Sequence, residues 1–169
     1  MKKYVFRPYN PIFKELFQTE KNRILKALGS HAICEHIGST AIEELGGKGI
    51  IDVLVLVKEN QMDIAKELLI NIGYKFNTKF STNERYFFFC DLDDDLEGTR
   101  RYHIHLTNPD SQIAKDLVLF RDYLNKHPDL KHEYARIKQE ALKLDDGEGK
   151  VYKVYKEPFI ESIKRLMRL

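Results

Sequence analysis

The run Ile50-Ile51-Asp52-Val53-Leu54-Val55-Leu56-Val57 constrains the fold of this chain more than any other segment. It is strongly β-branched and nearly all apolar, the pattern of a central strand covered on both faces. A carboxylate inside such a strand is costly unless it is paired or serves a site. Asp52 is therefore the first candidate functional residue.

The flanking pattern places this strand in a mixed architecture. Asn10-Pro11 starts a helix that runs to about Leu28 and stops at Gly29. A short strand, Ala32 to Ile37, precedes Gly38-Ser39-Thr40 and a loose stretch with Gly46, Gly47 and Gly49. Beyond the central strand, Asn60 caps a helix to about Ile70, with Ile64, Ala65, Leu68 and Leu69 inward. Strands follow near Tyr74 to Phe76, Arg85 to Leu92 and Arg101 to Leu106. Between the last two, Asp91, Asp93, Asp94, Asp95 and Glu97 read as the solvated tip of a β-hairpin, since EF-hand spacing is absent. Asn108-Pro109 and Ser111 open a helix with Ile113, Leu117, Phe120 and Leu124 inward. His127-Pro128-Asp129 breaks it and starts another that reaches about Leu144. Asp145 to Gly149 is a polar loop, and a final helix spans Pro158 to Leu169. The order is helix, strand, strand, helix, three strands, three helices: an α/β or α+β domain with a mixed sheet and a helical C-terminal layer.

Composition narrows the function classes. The 169 residues predict one domain, residues 1–169. With 28 basic and 26 acidic residues the net charge is +2, which excludes a general nucleic-acid binder. No apolar run approaches a membrane span and no apolar signal core follows Met1-Lys2-Lys3-Tyr4, so a cytoplasmic location is expected. Cys34 and Cys90 lack metal-ligand spacing and read as buried free thiols.

The densest chemistry lies between Glu35 and Asp52. A strand ending in Gly38-Ser39-Thr40 lets backbone amides approach an anion closely, while two hydroxyls add donors: a phosphate cradle. The next strand returns Asp52 beside that turn, where a carboxylate oxygen can hold Mg²⁺ against the bound phosphates. Strand alternation places Arg101, His103 and His105 on one face. The two imidazoles either complete a transition-metal site with Asp52, supply a general base, or serve as structural residues on a solvated sheet face. Alternation also parts Glu35 from His36, so at most one of them enters the same pocket. Lys48, Arg100, Arg101, Arg121 and Lys138 are candidate phosphate contacts. Arg121-Asp122 reads equally as a structural pair. Lys150-Val151-Tyr152-Lys153-Val154-Tyr155-Lys156 alternates aromatic and basic residues. It reads as a half-exposed segment packing its valines under the sheet, with base stacking and phosphate contact as the alternative.

Six segments carry a closer resemblance: Tyr9 to Phe13, Glu35 to Ala41, Lys48 to Asp52, Tyr102 to Leu106, Phe120 to Leu124 and Tyr134 to Lys138. In that order they resemble the GrpB family (UPF0157) over nearly the whole chain. The resemblance implies a fold of the nucleotidyltransferase-like superfamily in a bacterial cytoplasmic protein, sometimes fused to dephospho-CoA kinase. Nucleotidyltransferases generally carry a second acid two residues after the first; here that position is Leu54, a loss that GrpB members usually share. Glu43-Glu44 stand where the family often has Pro-Gly, and Gly49 where it often has Pro. Phe13 and Ile113 stand where it commonly has Trp, which marks them as packing anchors.

The expectation is a metal-dependent nucleotidyltransferase-like protein acting on a phosphate-bearing small molecule. The alternative is a non-catalytic module binding a nucleotide or CoA metabolite. Asp52, His103 and His105 form the catalytic and metal set. Gly38, Ser39, Thr40, Lys48, Arg101 and Arg121 hold the phosphate or nucleotide. The cofactor is a divalent cation, Mg²⁺ or Mn²⁺ before Zn²⁺, and no membrane partner is expected.

Overall fold

The computed structural model describes residues 5–145 and 149–168. Its elements are α1 (Ile12–Leu28), β1 (Ile33–Ile37), β2 (Ile51–Leu56), α2 (Met62–Asn71), β3 (Lys75–Phe76), β4 (Tyr86–Asp94), β5 (Gly98–Thr107), α3 (Gln112–Lys126), α4 (Pro128–Leu144) and α5 (Lys150–Met167). The five strands form one sheet in the order β1-β2-β5-β4-β3. β2 and β5 run parallel and the other pairs antiparallel, so the fold is the mixed α/β sheet that the pattern predicts.

One sheet face carries Val53, Val55, Phe88, Cys90, Tyr102 and Ile104 and packs under α1 and α2 through Phe13, Ile24, Ala65 and Leu69. These side chains are buried, and each large one contributes about 1.5–3 kcal/mol by leaving water. Both cysteines are buried free thiols, as expected. On the opposite face, α3 covers the β1–β2 half through Ile37, Leu54 and Ala114. A third apolar layer joins α3, α4 and α5 to the loop residues Ile42 and Leu45. Among the described residues no helix is long and apolar enough to cross a membrane.

Five local expectations change. α5 starts at Lys150, not Pro158, which sits inside the helix. Asp145 holds that start by accepting from the amides of Gly149 and Tyr152 at 3.2 and 3.3 Å. The helical period buries Tyr152 and leaves Val154 exposed, the reverse of valines tucked under the sheet. In α2, Ile64 is exposed and Met62 takes the inward place, because a short 3₁₀ turn over Glu59–Gln61 delays the helix start. The acidic hairpin tip is not simply solvated: Asp94 is buried and pairs with Arg100, which also donates to the carbonyl of Gly49 at 2.7 Å. The glycine stretch is tightly packed as well. Gly47 pairs with Arg7 in a β-bridge, and a Cβ there would lie 2.7 Å from Ser39 Oγ.

Candidate active site

The register of β2 and β5 sets Asp52 beside His103 and Leu54 beside His105. His103 Nδ1 lies 3.1 Å from Asp52 Oδ1, and His105 Nε2 lies 3.6 Å from the same oxygen. The three residues expected to meet therefore do meet, on the face away from α1 and α2. Burial would push the Asp52 carboxyl up, but hydrogen bonds from the His103 and His105 imidazoles hold it well below the usual carboxylate range. Ionised, it only accepts, so the nitrogens facing it carry the protons.

The two histidines are not equivalent. Arg85 Nη1 approaches His105 Nδ1 at 3.4 Å. A guanidinium always donates, so Nδ1 accepts, the proton sits on Nε2, and both His105 nitrogens are committed. Burial lowers the His105 pKa, and Arg85 adds to this against the pull of Asp52. His103 gives only Nδ1–H to Asp52. Its side chain is 23% exposed, and Nε2 keeps a lone pair.

His105 turns one nitrogen toward Arg85 and the other toward Asp52, and both imidazoles face the same Asp52 oxygen. Among the described residues no three or more His, Cys, Asp or Glu side chains form a ready cation site. Leu54, at the second-acid position, is fully buried in the apolar cluster with Ile37 and Ala114.

The glycine turn is built around Asp52. Gly38 has φ 71° and ψ −172°, a backbone region almost confined to glycine, and a Cβ there would stand 2.4 Å from Asp52 Oδ2. Ser39 presents its hydroxyl toward Gly47 and Lys138. The Thr40 hydroxyl is committed elsewhere: it is buried, donates to the carbonyl of Ile50 at 3.0 Å and meets His36 Nε2 at 3.0 Å. His36 stacks on Phe17, and burial lowers its pKa to about 4. Glu35 pairs with Arg121 at 2.8 Å. Arg121 also binds the His36 carbonyl and Asp122, so it ties α3 to β1, the structural alternative of the two expected.

The C-terminal helices supply the opposite wall. Lys138 is 1% exposed and donates to the carbonyl of Gly46. Lys156 lies over the Tyr152 ring at 4.2 Å, and Lys48 over the same ring at 4.0 Å. Neither Lys138 nor Lys156 has a carboxylate at ion-pair distance among the described residues. Burial pushes Lys156 down to about 8 despite the opposing charge of Asp52, and burial together with Lys156 holds Lys138 well below the ordinary lysine range. The charge of Asp52 also raises Tyr134 and Tyr152, whose main cause is burial, so α4 and α5 lie within electrostatic reach of Asp52.

Lys48 and Arg101 line a separate cleft of about 200 Å³ with Arg7, Gly49 and Glu97. Arg101 holds Asp91 through two 2.8 Å contacts. Sequence reading reached Lys156 only within the Lys150–Lys156 segment, as the alternative to packing under the sheet, and missed Arg85. The i, i+4 spacing of Tyr152 and Lys156 was the available signal for the first, and no local pattern marked the second.

Known proteins share this framework. The GrpB protein family matches residues 4–165. The UPF0157 protein YqkA of Bacillus subtilis is 32% identical over 136 residues; the match covers 78% of this chain but only 38% of YqkA. The crystal structure of the conserved protein GrpB from Enterococcus faecalis aligns with a TM-score of 0.83 at 25% identity, covering 96% of each chain. The Cid1 poly(U) polymerase with MgGTP bound aligns with a TM-score of 0.53 at 16% identity, covering 78% of this chain and 45% of that one. At that identity the last likeness speaks for the nucleotidyltransferase-like fold alone.

Proposed function

The chain belongs to the GrpB family, and from that premise we propose that it binds a nucleoside triphosphate between the Gly38-Ser39 turn and the α4–α5 wall and transfers a nucleotidyl group to an acceptor hydroxyl. The observation that carries this reading is a buried ammonium without a counter-ion. Lys138 stands beside Gly47, donates to the Gly46 carbonyl and lies over the Tyr134 ring at 4.9 Å, with no carboxylate at ion-pair distance among the described residues, and a second depressed lysine, Lys156, acts on it. A buried lysine amine with no carboxylate at ion-pair distance among the described residues gains its charge most readily beside an incoming anion, and a polyphosphate supplies that anion.

The remaining residues have distinct roles. Ser39 Oγ and the Gly38 backbone receive phosphate oxygens, and the lysines hold the pyrophosphate end. His103 Nε2 takes the proton of the acceptor hydroxyl. The acceptor oxygen then bonds to the α-phosphorus as the bond to the pyrophosphate oxygen breaks. Asp52 fixes the His103 tautomer through Nδ1–H, and His105 with Arg85 fixes Asp52. Asp52 Oδ2, the oxygen under Gly38, is left for a Mg²⁺ or Mn²⁺ that arrives on the phosphates. Such an ion would neutralise phosphate charge. The bacterial cytoplasm, rich in such nucleotides, is the proposed setting.

A second reading is favoured by one observation, the fully buried Leu54 at the second-acid position. On it the pocket binds nucleotide or a CoA metabolite without transfer.

Thermal shift separates the cases. Wild type, Lys138→Met and Asp52→Asn are melted with ATP, GTP, CTP, UTP or dephospho-CoA, each in EDTA, Mg²⁺, Mn²⁺ or Zn²⁺, and pyrophosphate release is followed. Stabilisation by a triphosphate that Lys138→Met removes, with pyrophosphate release that Asp52→Asn abolishes, is expected. Binding without release selects the second reading. No stabilisation by any of them overturns both.

A further inference from the structure

The half of the Asp52 face formed by β4 and β5 has an unusual lining. Register places Phe87 opposite His105, Phe89 opposite His103 and Asp91 opposite Arg101. Phe87 and Phe89 are half-buried, beside the face that presents His103. The Phe87 ring lies 5.0 and 5.2 Å from the two imidazoles, and half-exposed Phe80 meets its edge at 5.8 Å. Cations attend both rings: Arg85 at 6.0 Å from Phe87, Arg101 at 5.2 Å and Lys75 at 5.9 Å from Phe89.

Arg85 is the informative member. It has no carboxylate partner among the described residues; its contacts are the Phe80 carbonyl at 2.9 Å, His105 and the Phe87 ring. Its Nε is buried without a hydrogen-bond partner, the only such side-chain atom among the described residues. Of the carboxylates on this face, Asp91 pairs with Arg101 and Asp52 faces the two imidazoles, so neither is at ion-pair distance from Arg85. The face thus sets Arg85, Arg101 and Lys75 around two rings, next to His103.

We propose that this face is the acceptor site and that its occupant is a nucleoside monophosphate, whose base stacks on Phe87 and Phe89 and whose phosphate meets Arg85. Sequence-tolerant stacking on aromatic rings flanked by cations suits a planar anionic ligand, and a bidentate guanidinium suits phosphate. The ribose hydroxyl then lies toward His103 and the transferred group. The proposal rests on the nucleotidyl-transfer reading only for its role, since the site binds with or without transfer.

Isothermal titration of AMP and UMP into the full chain tests it, with wild type, Arg85→Ala, Arg85→Lys, Phe89→Leu and Lys138→Met compared. Binding that weakens about tenfold or more in Arg85→Ala and Phe89→Leu, is partly kept by Arg85→Lys and survives Lys138→Met is expected. Triphosphate stabilisation, read separately, should persist in Phe89→Leu. If monophosphate binding follows Lys138 and ignores Arg85 and Phe89, or is absent in wild type, the acceptor site is wrong even where triphosphate binding stands. If a uridine tetranucleotide binds tenfold tighter than UMP through the same residues, the occupant is a strand and the monophosphate assignment falls. Arg85→Lys and Phe89→Leu keep the test valid should Arg85→Ala fail to fold.

Discussion

Asp52 and His103 are direct neighbours across the parallel strands β2 and β5, and His103 donates Nδ1–H to Asp52 Oδ1 over 3.1 Å. One carboxylate thereby fixes an imidazole tautomer and leaves the other nitrogen basic. If this pair carries proton transfer, His103→Gln lowers turnover about 10²–10⁴-fold. Triphosphate affinity stays within a few fold, because the phosphates rest on the other wall. His105→Gln, which touches no substrate, acts through the position of Asp52 and shifts the pH profile of turnover more than the affinity. Steady-state kinetics beside direct binding separates the two.

Lys138→Met combines a gain and a loss. It removes a buried ammonium that lacks a carboxylate and keeps a similar volume, so the free protein gains stability by about 1 kcal/mol or more, read by urea denaturation. Phosphate-dependent stabilisation disappears in the same variant. A lysine kept only for packing would give loss of stability and no change in binding.

Lys156 predicts a pH dependence of defined sign. Its folded pKa of about 8 lies below the ordinary lysine value of 10.5, so between those values the unfolded chain carries the extra proton. Stability contributed at this position therefore rises as pH increases from about 8 to 10.5. Pyrophosphate binding runs the other way, since it needs the charged form, and weakens above pH 8. Melting curves of wild type and Lys156→Gln with and without pyrophosphate should diverge accordingly.

Gly38→Ala places a methyl group 2.4 Å from Asp52 Oδ2 in a glycine conformation. A loss of about 1–3 kcal/mol in stability is expected from the backbone alone. The clash adds displacement of Asp52, visible as a change in His103 ring resonances by NMR.

Arg100 and Asp94 test the hairpin anchor. Their side chains are 2% and 3% exposed and meet at 2.6 Å. Arg100→Ala leaves the Asp94 charge buried and the Gly49 carbonyl unpaired, which costs about 3–5 kcal/mol in chemical denaturation. Replacing both with apolar residues of similar size should recover much of that loss.

The element order was legible because each segment advertises its own period. The apolar run marked β2, the Gly38-Ser39 turn marked the approach to Asp52, and alternation put His103 and His105 on one side. The Lys150–Lys156 segment misled because an alternating pattern is short-ranged, while Asp145 caps a helix whose period pairs Tyr152 with Lys156. Thr40 and Arg121 looked like phosphate ligands by residue type. Their hydrogen bonds to Ile50, Glu35 and His36 are long-range facts.

The sequence by itself therefore determined a mixed α/β sheet with one carboxylate on its central strand and two imidazoles on another strand, since local periodicity sets which face a residue takes. Only the tertiary structure decided that both imidazoles converge on Asp52, that Arg85 meets His105, and that Lys138 and Lys156 sit without carboxylate partners among the described residues. Those contacts join residues far apart in the chain, and no local pattern encodes them. They exist because strand register and helix packing bring the surfaces together, and burial then gives each charge its chemistry.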